Sequence, residues 1–174
     1  MQRRAVIKNL SMSVGGLMSL PTWASAWTPE SIGQVGMLSL VEEETLAEIV
    51  ETIIPETATP GAKSLKVHQF AMRMIKDCYG DEAQKNLKQG LILADTACRQ
   101  AYNKTFVESN KTQRADILNK MIGSNNVPAK QFMNMIKNLT IQGYMNSEYV
   151  MTNIQKYTMA PGFYHGCVPV KQAP

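Results

Sequence analysis

The chain reads as an all-α protein, an irregular bundle of five to six helices with an extended C-terminal tail. Three observations lead there. Apolar residues recur at i, i+3, i+4 and i+7 in five separate stretches. Helix start and stop signals bracket those stretches. No alternating apolar/polar run lasts long enough to make a strand.

The first 26 residues stand apart from this pattern. Arg3 and Arg4 precede Ala5, Val6, Ile7 and Lys8. A weakly apolar stretch from Leu10 to Leu20 follows, diluted by serines and glycines, and Ala24-Ser25-Ala26 then supplies an A-x-A cleavage site at Ala24 and Ala26. A charged head, short apolar middle and small-residue exit make a signal peptide. The apolar run is about half of the ~20 residues a membrane span needs. The arginine pair directs it to the twin-arginine (Tat) translocase and the periplasm, with an ordinary Sec signal carrying two arginines as the other reading. Tat exports folded proteins, a route needed mostly when a cofactor is inserted before export.

Residues 27–174 are expected to form a single all-α domain, with its tail beginning near 157. Removing 26 of 174 residues leaves 148, enough for one core that buries about 70% of the unfolded surface without a disulfide framework. The leader supplies three of the four formal net positive charges. Without Arg3, Arg4 and Lys8, the 18 basic residues fall to 15 against 14 acids. That balance gives no argument for nucleic acid or anionic lipid as a partner.

Residues 27–38 are a Gly-containing lead-in with no clear period. Ser39 and Glu42 form a capping box, and Leu46, Ile49, Val50, Ile53 and Ile54 carry the first helix to Pro55, which lacks an N–H and ends it. Its segment holds Glu42, Glu43, Glu44, Glu48, Glu51 and Glu56, expected to be a dipole-favoured N-terminus and a wet face. Residues 55–65 form a loop with a Pro60-Gly61 turn. Val67, Phe70, Ala71, Met74, Ile75 and Cys78 make one continuous stripe on the second helix, with Gly80 expected at a left-handed C-terminal position. Asp81 is expected to cap the third, faced by Leu87, Leu91, Ala94, Cys98, Ala101 and Tyr102. Thr112 is expected to cap the fourth, with Ala115, Ile117, Leu118, Met121 and Ile122 before Gly123. Pro128 suits the first turn of the fifth, which carries Phe132, Met135, Ile136 and Leu139 to about Tyr144. Ser147-Glu148 start a short sixth element.

Reactive chemistry is sparse. There is no G-x-G-x-x-G for a dinucleotide, no C-x-x-C-H for haem, no close cysteine set for an iron–sulfur cluster and no G-x-S-x-G. His68 and His165 are the only histidines and lie far apart, too few for a metal site. Nine methionines remain once Met1, Met12 and Met18 leave. Several, such as Met74 and Met135, fall on core faces, where a thioether fills gaps. No catalytic, cofactor-binding or metal-binding residue is therefore assigned to this chain. Of the three cysteines, Cys78 and Cys98 lie on apolar helix faces and read as small buried hydrophobes. Cys167 lies in the Gly/Pro tail and is the candidate for an intermolecular disulfide or a docking contact, because an odd count leaves one thiol without an intrachain partner.

Several stretches together carry a resemblance: Arg3-Arg4, Ala26-Trp27-Thr28-Pro29-Glu30, Ile49 to Pro55, Thr57 to Ala62, Asp77-Cys78-Tyr79, Leu139 to Tyr144, Ser147-Glu148 and Pro161 to Pro169. The series resembles the gluconate 2-dehydrogenase subunit 3 family over nearly the whole length, least distinctively over 81–138. The resemblance implies a small cofactorless subunit of a periplasmic sugar or sugar-acid dehydrogenase. Its large partner is a flavoprotein of the glucose–methanol–choline type, and a c-type cytochrome carrying haem often takes the electrons. FAD then sits in the partner, and this chain carries the Tat signal for it. The loop residues Thr57, Thr59, Pro60 and Gly61, together with Tyr144, are candidate partner contacts. So are Pro161, Gly162, Phe163, Tyr164, His165, Gly166, Cys167 and Pro169 of the tail. Packing of either segment on its own bundle is the competing reading. A stand-alone saccharide-binding or envelope-assembly module is the alternative to the subunit as a whole.

Overall fold

The computed structural model describes residues 36–158, together with Ala160 and Gly162. The chain divides into two units, Met1–Gly36 and Met37–Pro174, and the described fold is that of the second. It holds five α-helices: α1 (Leu40–Ile53), α2 (Val67–Cys78), α3 (Asp81–Tyr102), α4 (Lys111–Gly123) and α5 (Val127–Met145). A short π-helical turn, Val150–Ile154, follows. No strand occurs among the described residues, so the fold is all-α.

The start of α1 follows its residues. Ser39 caps it, with Glu42 N–H donating to the Ser39 hydroxyl at 3.4 Å and Ser39 N–H donating back to the Glu42 carboxylate at 2.8 Å. Those Ser39 bonds, backbone first, hold the Glu42 carboxyl below its ordinary range. The helix stops at Ile53. Ile54, preceding Pro55, is extended at φ −129°, ψ 90°, because the proline ring excludes the helical conformation there.

Three caps differ from expectation. Gly80 is extended at φ −72°, ψ 178° and is itself the N-cap of α3, so Asp81 becomes the first helical residue. It still lies where a carboxylate meets the positive end of the helix dipole. Asn110, two residues before Thr112, caps α4 in a box with Gln113. Asn110 is as strong a cap as any residue type and has its glutamine at the right spacing. The left-handed residues near helix ends are Lys66 (φ 53°) and Asn103 (φ 57°).

α5 packs against each of the other four helices. It brings Phe132, Ile136 and Leu139 to a core completed by Leu46, Ile49 and Val50 of α1, Ile75 of α2, Leu87 of α3 and Ile117 of α4. Thr140 is fully buried on α5, its hydroxyl donating to Ile136 O at 2.7 Å, so the buried oxygen is satisfied. α3 meets α5 at Gly90, where a Cβ would lie 2.1 Å from Phe132 Cγ. The aromatic ring occupies the space that any other side chain would need.

Candidate interaction surfaces

The loop between α1 and α2 is held by acids of α1. Glu51 accepts from Glu56 N–H at 2.7 Å and from Lys63 N–H at 3.0 Å, spanning the loop with one carboxylate. Gly61 is buried beneath it; a Cβ there would stand 2.5 Å from Glu51 Oε2. Glu48 accepts from Lys63 Nζ at 2.5 Å and also pairs with the Arg114 guanidinium of α4. The Glu48 and Arg114 side chains are only 12% and 13% exposed, so this pair sits largely out of water. Arg114 also donates to Phe106 O and Val107 O, and its guanidinium lies 5.8 Å from the Phe106 ring centre. Glu48 and Glu51 therefore depart from the expected wet face. Their side chains organise two loops instead.

The predicted contact residues of this loop divide. Thr57 is exposed, and Thr59 and Pro60 are half-buried. Thr57 N–H donates to Thr59 O at 3.1 Å, closing the turn. Half-buried Tyr144 donates its hydroxyl to Pro60 O at 3.1 Å, tying the loop to the end of α5. The structure thus brings Tyr144, Pro60 and Gly61 together within the chain and leaves Thr57 facing solvent. Of the tail residues, Gly162 is exposed with φ 70°. Arg3, Arg4, Ala24, Ala26, Pro161, Phe163, Tyr164, His165, Gly166, Cys167 and Pro169 lie outside the described residues.

The two described cysteines part company. Cys98 is fully buried, and burial pushes its thiol up. Cys78 is exposed at the last turn of α2, past the point where the stripe meets the core, rather than on a buried face. His68 has a mostly buried ring whose Nδ1 has no hydrogen-bond partner, with Nε2 3.8 Å from Glu43 Oε1. Burial depresses its pKa against the opposing pull of Glu43. Among the described residues no three His, Cys, Asp or Glu side chains gather as a metal site would require, and no helix is long and apolar enough to cross a membrane.

Open grooves follow the outer face of α3. One of ≈ 390 Å³ lies between α1, α3 and the loop after α3. Val41, Leu91, Ile92 and Val107 supply its apolar lining. Glu42, Glu44, Asp95 and Glu108 supply carboxylates, with Arg99 as its only lining cation. A second, of ≈ 320 Å³, shares Ile92 and adds Leu93 and Pro128. A third, of ≈ 410 Å³, shares Leu93 and continues to Ala97, Ile117 and Met121. A separate groove of ≈ 580 Å³ runs between the start of α2 and the π turn, lined by Leu65, Lys66, Phe70, Asn146, Glu148 and Tyr149 among others.

Sequence reasoning passed over Phe106, Arg114 and the exposed apolar residues of the α3 grooves. Arg114 carried a signal: it precedes Ile117, Leu118 and Met121 at helical spacing, so it shares their buried face. Phe106 lies in a loop without periodicity and offered none.

The described residues thus form a small five-helix bundle whose charged clusters clamp its own loops, with apolar grooves open along α3. Residues 41–162 match the family described as gluconate 2-dehydrogenase subunit 3, and the chain belongs to that family. No curated protein and no solved structure matches it.

Proposed function

We propose that this chain is the accessory small subunit of a periplasmic FAD-dependent sugar or sugar-acid dehydrogenase, and that it escorts its flavoprotein through the Tat pathway and stabilises it. The observation that carries this reading is the family membership over 41–162 in a chain that opens with Arg3-Arg4 and closes its leader with Ala24-Ser25-Ala26. The family's description names a numbered subunit of a gluconate dehydrogenase, so other subunits belong to the assembly. The partner is a large flavoprotein of the glucose–methanol–choline type, with a haem-bearing cytochrome as electron acceptor. FAD and haem belong to those partners. A flavoprotein that loads FAD before export needs a folded-protein route, and this chain's leader supplies one. The tail from Pro161 to Pro169 is a partner contact in this reading, with Cys167 the candidate for an intermolecular disulfide or a docking contact.

The test is the double variant R3K/R4K in the native host. The dehydrogenase activity is expected to remain in the cytoplasmic fraction while total flavoprotein is still made. Normal periplasmic activity from that strain would sink the escort role. The groove of mixed lining, with Lys66, Glu148 and Tyr149 beside Phe70, favours a second reading, a saccharide-binding module. Sugar binding by the isolated chain, with no flavoprotein present, would move that reading ahead.

A further inference from the structure

Val41, Ile92 and Val127 are large apolar side chains left 71%, 60% and 61% exposed. They are not scattered. Val41 and Ile92 line one groove; Ile92 also lines the next, which is bounded by Asn126 and Pro128 on either side of Val127. Leu93 then joins that groove to the third. The result is a band of adjoining grooves, joined through Ile92 and Leu93, along the outer face of α3 from the first turn of α1 to the first turn of α5. Such a band marks an interaction surface, whereas single exposed apolar residues do not.

The rim is acidic at the α1 end of the band, while Lys120 on the third groove is paired with Asp116 at 2.7 Å. Glu42, Glu44, Asp95 and Glu108 line its α1 end against Arg99 alone. Lys88 and Lys104 act on Glu42 and Glu108 from outside the groove. Arg99 is already held by Asp95 at 2.7 Å. Glu42 is committed to the Ser39 cap and Glu108 to Thr105. Those bonds fix the carboxylates in place without cancelling their charge, and Glu44 has no ion pair among the described residues. An apolar floor with a fixed acidic edge is complementary to an apolar side chain flanked by Lys or Arg.

We infer that this band along α3 is the seat of the large flavoprotein subunit, which covers it with an apolar segment flanked by basic residues. The inference rests on the subunit reading and adds to it the surface used, with Ile92 as its central anchor. This surface is distinct from the loop and tail contacts proposed above, because Ile92 lies on α3 and belongs to neither segment. Central apolar anchors carry most of the energy of an interface, and rim charges mainly set approach and salt dependence.

The experiment is co-expression of the full chain with the flavoprotein, followed by gel filtration monitored for mass and flavin absorbance. The wild-type pair is expected to co-elute. Ile92→Lys places a charge where the apolar segment lands and should weaken association by about tenfold or more, a typical anchor effect. Val41→Lys, at a still more exposed position, should act in the same direction and serves if the first variant folds poorly. Glu44→Lys should weaken association and flatten its dependence on salt. Ile141→Lys is the control, since Ile141 is also exposed but lies about 20 Å from Pro128 along α5 at 1.5 Å per residue. It should co-elute as wild type does. Undiminished co-elution of both Ile92→Lys and Val41→Lys would overturn the surface while leaving the subunit reading standing. A wild-type chain that self-associates through this band, shown by Ile92→Lys becoming monomeric while flavoprotein binding persists, would overturn it in favour of a second copy. A wild-type chain that never co-elutes with flavin would remove the subunit reading and this surface with it.

Discussion

Gly90 shows how much one missing atom group can decide. A Cβ at this position would lie 2.1 to 2.6 Å from three carbons of the Phe132 ring, and both residues are buried. On helix propensity alone, Gly90→Ala would stabilise α3 by about 0.5–1 kcal/mol. Packing reverses the sign, because Phe132 is fully enclosed on α5 and cannot withdraw without opening the core. Gly90→Ala should destabilise the fold by about 1–3 kcal/mol, the range for overpacking a well-filled site, read from the midpoint of urea unfolding. A gain in stability would show that α3 and α5 do not meet as closely as described. Gly90 sits three residues after Leu87 and four before Ala94, on the predicted stripe, so its burial was legible. Its pairing with Phe132 was not, since spacing along one helix carries no information about which side chain faces it from another.

At the scale of elements, periodicity located the five α-helices of the described residues, because a stripe of apolar residues must face a core whatever the tertiary arrangement. Helix ends were less legible. Ser39 stands alone before α1, but Asn110 and Thr112 compete at the start of α4, and local residue type does not settle which one leaves the helix. Least legible was the Glu48–Arg114 pair, whose members are 66 residues apart in sequence. Glu48 looked like one of six acids on a wet helix, and only the return of α4 against α1 encloses it. The pair joins α1 to α4, and through Lys63 and Phe106 it fixes the loops on either side. Glu48→Gln leaves Arg114 without its carboxylate in a site 13% exposed. The expected loss is about 3 kcal/mol, the lower end for removing one partner of a buried pair, measured by denaturant unfolding at neutral pH. A loss below about 0.5 kcal/mol would place the pair among surface salt bridges.

At the scale of the whole molecule, the described residues form a helical bundle with its core on α5. The α3 band had no sequence signal of its own. Ile92 falls off the Leu87–Leu91–Ala94–Cys98 stripe and reads as an isolated exposed residue until the start of α1 and the start of α5 are set beside it. Among the candidate contacts, Tyr144 of α5 and Gly61 of the loop are engaged inside the chain. That engagement presents the exposed Thr57 on a clamped loop, a better surface for a partner than a free one, because less conformational entropy is lost on docking.

The measurement that bears most directly on the central claim is affinity purification of the tagged full chain from its native periplasm, with mass spectrometry of what accompanies it and an absorbance scan of the eluate. The account predicts a large flavoprotein of the glucose–methanol–choline type in stoichiometric amount, with flavin absorbance and sugar or sugar-acid dehydrogenase activity in the same fraction. A colourless chain eluting alone and without activity would contradict it.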